Sequence, residues 1–96
     1  MITAVNDFVQ NSEAAIFSRV VSPDNANLSP DAANSLLQIT FPEADRERMN
    51  ILAEKARQGT LCADEASELE NYSRVGRLLE VLKSKARLSL KAPRAA

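Results

Sequence analysis

The sequence contains no histidine, only two glycines and a single cysteine. Histidine is the commonest general base and metal ligand near neutral pH. A catalytic site or a metal site in this chain would have to be built without it. With only Gly59 and Gly76, the chain has no glycine-rich loop to cradle phosphate groups. The lone Cys62 cannot form an internal disulfide, and the cytoplasm is the default compartment for such a chain.

Long apolar runs are also missing from the sequence. No run approaches the roughly 18 residues that a membrane span needs, and the stretch MITAVNDFVQNSE lacks the basic and apolar regions of a signal peptide. Aromatic residues make up only 4% of the chain, and alanine and leucine dominate, which favours helices over sheets. The length of 96 residues allows one domain at most, residues 1–96.

Four helices are predicted from apolar spacing and capping residues, at residues 12–21, 30–39, 42–58 and 63–90. The first is the weakest, because its Val20–Val21 pair is also typical of a strand. For residues 1–10 the sequence does not distinguish between a strand, a helix and a fraying end. The fold class is therefore all-α. We expect a small helical bundle in which a long C-terminal helix packs antiparallel against the 42–58 helix, while two short helices close the core.

The helix boundaries rest on residues typical of helix ends. They are Asn11 or Ser12 as a first cap, Ser29 before Pro30, a capping box of Thr40 and Glu43, Gly59 as a left-handed end, and Cys62 as a cap with Glu65 three residues later. Within the single domain we distinguish a loosely defined segment 1–28, a helical core 29–91 and a frayed tail 92–96.

The core is predicted from residues that share a face at helical spacing. The apolar sides of the first three helices are Ile16, Phe17, Val20 and Val21; then Ala33, Leu36, Leu37 and Ile39; then Met49, Leu52, Ala53 and Ala56. The main stripe of the long helix consists of Leu69, Tyr72, Val75, Leu79, Leu82, Ala86 and Leu90. Gly76 lies at the edge of this stripe and predicts the close approach of another helix. A glycine inside a helix otherwise costs about 1 kcal/mol relative to alanine.

A second apolar line on the long helix raises the question of what covers it. Its residues Leu78, Val81 and Leu88 lie on the charged side of the helical wheel. Either the N-terminal 21 residues or a second chain, identical or not, covers this line, since a helix apolar on two sides is usually covered on both. In the second case, apolar anchors in a charged rim form the partner-binding site. Its residues are Arg74, Arg77, Leu78, Val81, Lys85 and Leu88.

The charges are distributed unevenly, although the net charge is only −1. Residues 1–73 carry five basic and twelve acidic side chains, whereas residues 74–96 carry seven basic and one acidic. The basic segment consists of Arg74, Arg77, Lys83, Lys85, Arg87, Lys91 and Arg94. It is compatible with DNA or RNA binding. However, the pI is about 5.4, no aromatic residue interleaves the basic ones, and no helix pair has the tight turn of a helix-turn-helix.

No enzymatic chemistry is predicted. Cys62 has no histidine to activate it. Glu65 and Glu68 lie one turn apart, a spacing that can serve a metal, but solvated helix surface and the helix dipole also explain them. We therefore predict no catalytic residue, no metal site and no cofactor.

Residues 41–91 resemble a group of small bacterial proteins without assigned activity. The likeness is carried by Phe41, Asp45, Arg48, Met49, Leu52, Ala53, Lys55, GTL at 59–61, Glu65, ELENY at 68–72, VGRLL at 75–79 and SKARLSLK at 84–91. LSPDAANSLL at 28–37 extends it weakly, and the main likeness covers about half the chain. Threonine more often follows GTL in these proteins, so Cys62 departs from the pattern, which supports a structural role for it.

The resemblance implies an accessory protein, because some members are encoded beside nuclease-like or toxin-like genes. It suggests an antitoxin-like or immunity-like protein that binds and restrains a partner protein. The DNA-binding half that is usual in antitoxins is not evident in residues 1–28, which argues against autoregulation. A self-associating structural protein, such as a homodimer, is the first alternative. A small DNA- or RNA-binding regulator that uses the basic C-terminal helix is the second.

Overall fold

The computed structural model describes residues 11–92, which form four helices and no strand. The helices are α1 (Glu13–Val21), α2 (Pro30–Leu37), α3 (Glu43–Gln58) and α4 (Ala63–Lys91). The all-α prediction is confirmed, including the long C-terminal helix. None of these helices combines the length and apolar character that crossing a membrane would require. Residues 1–10, for which the sequence left several structures open, lie outside the described residues. Residues 93–96, most of the predicted frayed tail, also lie outside them.

Two serines cap the short helices as the sequence predicts. The Ser12 hydroxyl accepts a hydrogen bond of 3.2 Å from the backbone N–H of Ala15 at the start of α1. The Ser29 hydroxyl accepts one of 3.2 Å from Ala32 at the start of α2. Pro30 occupies the first helical position. A backbone N–H at this position would have no acceptor within the helix, so proline loses no hydrogen bond there.

The turn between α3 and α4 also follows from local sequence. Gly59 ends α3 with a φ of 72°, the left-handed conformation that glycine adopts without a side-chain clash. The N–H of Thr60 then donates to the carbonyl of Lys55 at 2.9 Å, which satisfies one of the last carbonyls of α3. At the start of α4 the Glu65 carboxylate accepts a bond of 3.1 Å from the backbone N–H of Cys62. This is the glutamate half of the expected capping arrangement.

The capping box predicted from Thr40 and Glu43 is wrong. Pro42 is the N-cap of α3, and no side chain makes a capping hydrogen bond there. A capping box needs its glutamate at the third helical position. Because α3 begins at Glu43, that side chain is at the first position and lies too early to reach back to the cap.

The described residues divide into two compact units. The first unit combines the chain up to Ile39 with the chain from Arg77 onward, and the second unit is Thr40–Gly76. The single domain over residues 1–96 stays a prediction.

The second unit is the predicted antiparallel pair of α3 and the first half of α4. Asp45 bonds to Tyr72, Arg48 to Glu68, and Lys55 to Glu65. As positions rise along α3 they fall along α4, which defines the antiparallel direction. Leu52 is fully buried between these contacts. Ala56, which was expected on the same buried face, is exposed.

The first unit packs α1, α2 and the second half of α4 around small side chains. Ala33, Ala86 and Ser89 are all fully buried. The Ser89 hydroxyl accepts a hydrogen bond of 3.2 Å from the backbone N–H of Leu28, so the segment before α2 lies directly on α4. Ile39 was expected in the core but is exposed, because α2 ends at Leu37 and Ile39 lies beyond it.

Gly76 is not a point of close helix approach, contrary to the expectation from sequence. Among residues 11–92, no atom lies within 4 Å of the place that a Cβ on Gly76 would occupy, apart from its two chain neighbours and the helix's own nearby backbone. The glycine therefore carries the helix-propensity cost without a packing contact that would explain it.

We expect Gly76→Ala to raise the free energy of unfolding by about 0.5–1 kcal/mol, because alanine loses less backbone entropy in a helix. Gly59→Ala is the matched control and should lower it by about 1–2 kcal/mol, because alanine is strained at positive φ. Urea denaturation followed by circular dichroism measures both. A lower midpoint for Gly76→Ala would show that a neighbour does occupy that space.

Candidate partner-binding surface

Helix α1 is amphipathic, yet none of its residues is buried. Its apolar residues form two adjacent pairs, Ile16–Phe17 and Val20–Val21. Neighbouring helical residues point about 100° apart, so the two members of each pair need not be buried to the same extent. Phe17 and Val21 are half-buried, whereas Ile16 is 45% exposed and Val20 is 77% exposed.

An apolar groove of about 320 Å³ lies beside the exposed residues of α1. It is lined by Glu13, Ile16, Phe17, Val20 and Leu78. Four of the five are apolar, and Glu13 supplies one charge at the start of α1. We call Ile16, Val20 and Leu78 the α1 surface. Its first two residues were assigned to the core from sequence, although their i, i+4 spacing one step ahead of Phe17 and Val21 marked a second line.

The residues predicted to bind a partner differ in exposure and in their contacts. Leu78 lines the α1 groove, while Val81 is half-buried and Leu88 is 38% exposed. Arg77 is exposed, and it makes no ion pair or hydrogen bond within the described residues. Arg74 belongs to the second unit and donates to Glu70 one turn earlier at 2.7 Å. Whether these side chains contact a partner stays a prediction.

Lys85 was expected on the exposed, charged side of α4, and this placement is wrong. Its residue is only 8% exposed. The Nζ donates to the carbonyls of Val21 at 2.7 Å and Ser22 at 3.3 Å. These carbonyls lie at the C-terminal end of α1, where helical carbonyls lack intrahelical donors and the dipole favours a cation. The ammonium therefore caps α1 and is not available on the predicted surface.

The end of α1 that Lys85 holds is conformationally unusual. Ser22 has a φ of 54°, in the left-handed region that residues with side chains rarely adopt. Its N–H donates to the carbonyl of Ser18 at 2.8 Å, and its hydroxyl donates to the carbonyl of Arg19 at 3.1 Å. Together with Lys85, these bonds fix the direction in which the chain leaves α1.

The second apolar line is thus partly covered from within the chain. The end of α1 meets Lys85, and the side of α1 lies beside Leu78. This favours the interpretation in which the N-terminal residues cover the line. The cover that α1 provides does not extend to Leu88, which is exposed. Ile16 and Val20 on α1 itself are also exposed.

Several cations of the basic segment are engaged inside the chain. Lys85 caps α1, Arg74 pairs with Glu70, and Arg87 pairs with Glu80. Within the described residues, Arg77, Lys83 and Lys91 have neither an ion pair nor a hydrogen bond. The surface that remains for phosphate groups is smaller than the sequence suggests, which weakens the nucleic-acid alternative.

Two ion pairs link α3 and α4 within the second unit. The Arg48 guanidinium donates to both oxygens of Glu68, at 2.7 and 2.8 Å. This contact lowers the pKa of Glu68 and raises that of Arg48. Lys55 donates to Glu65 at 2.5 Å. The bond from Lys55, aided by that from the Cys62 backbone, lowers the pKa of Glu65 to about 2.

No group of three or more cysteine or acidic side chains is arranged to hold a metal ion within residues 11–92. Comparisons of the chain with protein-family models, with curated proteins and with solved structures found no match.

We expect Lys85→Met to lower the free energy of unfolding by about 1–2 kcal/mol, because it removes charged hydrogen bonds to the end of α1. Hydrogen exchange of the α1 amides should accelerate as well. Lys83→Met makes the same chemical change at a side chain without a hydrogen bond in the described part of the chain, and it should do neither. Equal effects of the two variants would show that Lys85 contributes only its apolar stem.

Acid should weaken the second unit through Glu65. Its pKa is lower in the folded chain than its ordinary value, so its ionised form stabilises the fold above about pH 4.5, and this contribution is lost as the pH falls toward about 2. In Glu65→Gln the urea midpoint should be lower at neutral pH and should change less between these two pH values. Glu47→Gln removes an exposed carboxylate that has no ion pair in the described region, and its midpoint should follow the wild type. A wild-type pH dependence in Glu65→Gln would contradict the assignment.

Proposed function

We propose that the chain is a non-catalytic protein–protein interaction module that binds and restrains a partner protein in the cytoplasm. The observation that carries the proposal is the outward position of Ile16 and Val20 on α1, at 45% and 77% exposure. Single exposed apolar residues are ordinary on protein surfaces. Two in line on a helix that also borders an apolar groove are a more specific feature, typical of contact sites.

The α1 surface has the composition of a small interface centre. Ile16, Val20 and Leu78 offer aliphatic contact area, Glu13 lines the same groove, and the exposed Arg77 precedes Leu78 in the sequence. Apolar centres exclude water and contribute most of the binding energy, whereas charged rims select the partner. A partner with an apolar ridge fits this surface better than a nucleic acid does.

The resemblance to small accessory proteins gives the proposal its direction. An antitoxin-like or immunity-like protein acts by occupying a surface of its partner and needs no chemistry of its own. The exposed apolar residues of the α1 surface agree with such a role. The partner is then the product of an adjacent toxin-like or nuclease-like gene.

Self-association is the second candidate, because the same α1 surface could meet its copy across a two-fold axis. Such isologous contacts place one patch against itself and favour uncharged centres. Ile16 and Val20 would then lie at the middle of a dimer interface.

The test is co-expression of the chain with the adjacent gene's product, with host growth and complex formation as readouts. We expect the wild-type chain to relieve growth arrest and to co-purify with the partner. The Ile16→Asp, Val20→Asp double variant should lose at least about 100-fold in affinity, because each fully buried aliphatic side chain contributes about 1.5–3 kcal/mol. Growth relief should be lost with it.

The matched control is Ile51→Asp, which places a carboxylate at a side chain that is 49% exposed in the second unit. It should leave both readouts unchanged. Circular dichroism must show the same helix content in all three proteins. Full binding by the double variant would eliminate the α1 surface as the contact site. Loss of a dimer in light scattering, with no partner bound by the wild type, would establish self-association instead.

A further inference from the structure

The second unit carries a groove of its own, with a volume of about 380 Å³, between the start of α3 and the first half of α4. Its lining residues are Phe41, Asp45, Glu68, Asn71, Tyr72 and Val75. The Phe41 and Tyr72 rings meet edge to face, with centroids 5.9 Å apart and planes inclined by 66°. Val75 is 50% exposed beside them, although its position on the main stripe predicted burial. The walls of this groove are therefore aromatic and aliphatic.

One carboxylate in the groove, that of Asp45, makes no ion pair within residues 11–92. Asp45 Oδ1 accepts a hydrogen bond of 2.7 Å from the Tyr72 hydroxyl, and this bond raises the pKa of Tyr72. The other oxygen, Oδ2, has no hydrogen bond within the described residues, and Asp45 makes no ion pair there. A neutral hydroxyl orients the Asp45 carboxylate but does not neutralise its charge.

The groove has two other polar side chains, Glu68, which is hydrogen-bonded, and Asn71, which is not hydrogen-bonded within the described residues. Both oxygens of Glu68 accept hydrogen bonds from Arg48, so its charge is already paired. The Asn71 amide makes no hydrogen bond within the described part of the chain. Asp45 and Asn71 therefore present acceptor oxygens beside apolar walls.

We infer that this groove takes an arginine side chain presented by a partner protein. A guanidinium stacks on aromatic faces, is weakly hydrated and donates several hydrogen bonds in one plane. Its stem would lie along Val75 and its head would pair with the open oxygen of Asp45, with the Asn71 amide as a further acceptor. A phosphate group is disfavoured because Asp45 would repel it. The inference does not depend on the α1 surface, since all six lining residues belong to Thr40–Gly76.

The chain contains a built-in reporter for this test. Tyr72 is the single tyrosine and there is no tryptophan, so intrinsic emission at tyrosine wavelengths comes from the groove. The probe is the peptide acetyl-Ala-Ala-Arg-Ala-Ala-amide, which does not fluoresce. The matched probe replaces its arginine with citrulline, which keeps the shape and several donors but has no charge. Both are titrated up to about 10 mM, a range suited to weak binding.

We expect a saturable change in Tyr72 emission with the arginine peptide and binding about tenfold weaker with the citrulline peptide, because charge-assisted hydrogen bonds are about twice as strong as neutral ones. Asp45→Asn keeps an oxygen that can accept from the Tyr72 hydroxyl but removes the charge. It should reduce affinity for the arginine peptide to that for the citrulline peptide. Glu47→Gln removes the same charge from an exposed position on α3 outside the groove, and it should bind like the wild type.

Three outcomes would overturn the inference. They are the absence of a saturable response to the arginine peptide, equal affinity for both peptides, and an equal loss in Asp45→Asn and Glu47→Gln, which would indicate only long-range attraction. Light scattering of the same proteins tests a second copy as the occupant. If the wild type is a dimer that Asp45→Asn converts to a monomer, the groove holds a basic side chain of another copy and not of a partner protein.

Discussion

Two polar side chains one turn apart on α4, Lys85 and Ser89, determine the arrangement of the first unit. Lys85 donates to the carbonyls at the end of α1, and Ser89 accepts from the backbone N–H of Leu28, so both ends of the connecting segment are tied to the same helix. A buried polar group without a hydrogen-bond partner destabilises the fold. Lys85 and Ser89 therefore require their backbone partners to lie at hydrogen-bonding distance. The position of α2 follows, because its cap Ser29 is the residue next to Leu28.

This anchoring explains why α1 displays apolar residues. Lys85 holds the last turn of α1, and the small residues Ala86 and Ser89 let the neighbouring segment come close to α4. The helix therefore rests on Phe17 and Val21 and turns Ile16 and Val20 outward. The hydrogen bonds that α4 makes to backbone groups around α1 thus also determine which apolar residues are exposed to a partner.

The helices and most of their ends could be predicted from sequence because caps act over three or four residues. Ser29 before Pro30 and Gly59 after Gln58 each specify a boundary locally. Lys85 could not be placed this way. A helical wheel assigns a lysine to solvent, and its acceptors lie more than 60 positions away in the chain, as their separations of 63 and 64 show.

The candidate sites were predictable only in part, for the same reason. Leu78 was identified as part of a second apolar line, but its neighbours Ile16 and Val20 were assigned to the core, since spacing alone does not say which of two lines on α1 is covered. The Asp45–Tyr72 bond joins residues 27 positions apart, and neither residue by itself indicates a recognition groove. Gly76 shows the opposite limit: its sequence context suggested a helix contact, and the described part of the chain makes none there.

The continuity of α4 through both units has a consequence for the order in which the chain becomes compact. The bonds of the second unit close loops of 10, 20 and 27 residues, whereas those of the first unit close loops of 61 and 64. Closing the longer loops costs about 1 kcal/mol more chain entropy. Extending an existing helix is also easier than nucleating one. We therefore expect α1 and α2 to dock last, on a helix whose first half has already formed in the hairpin of α3 and α4.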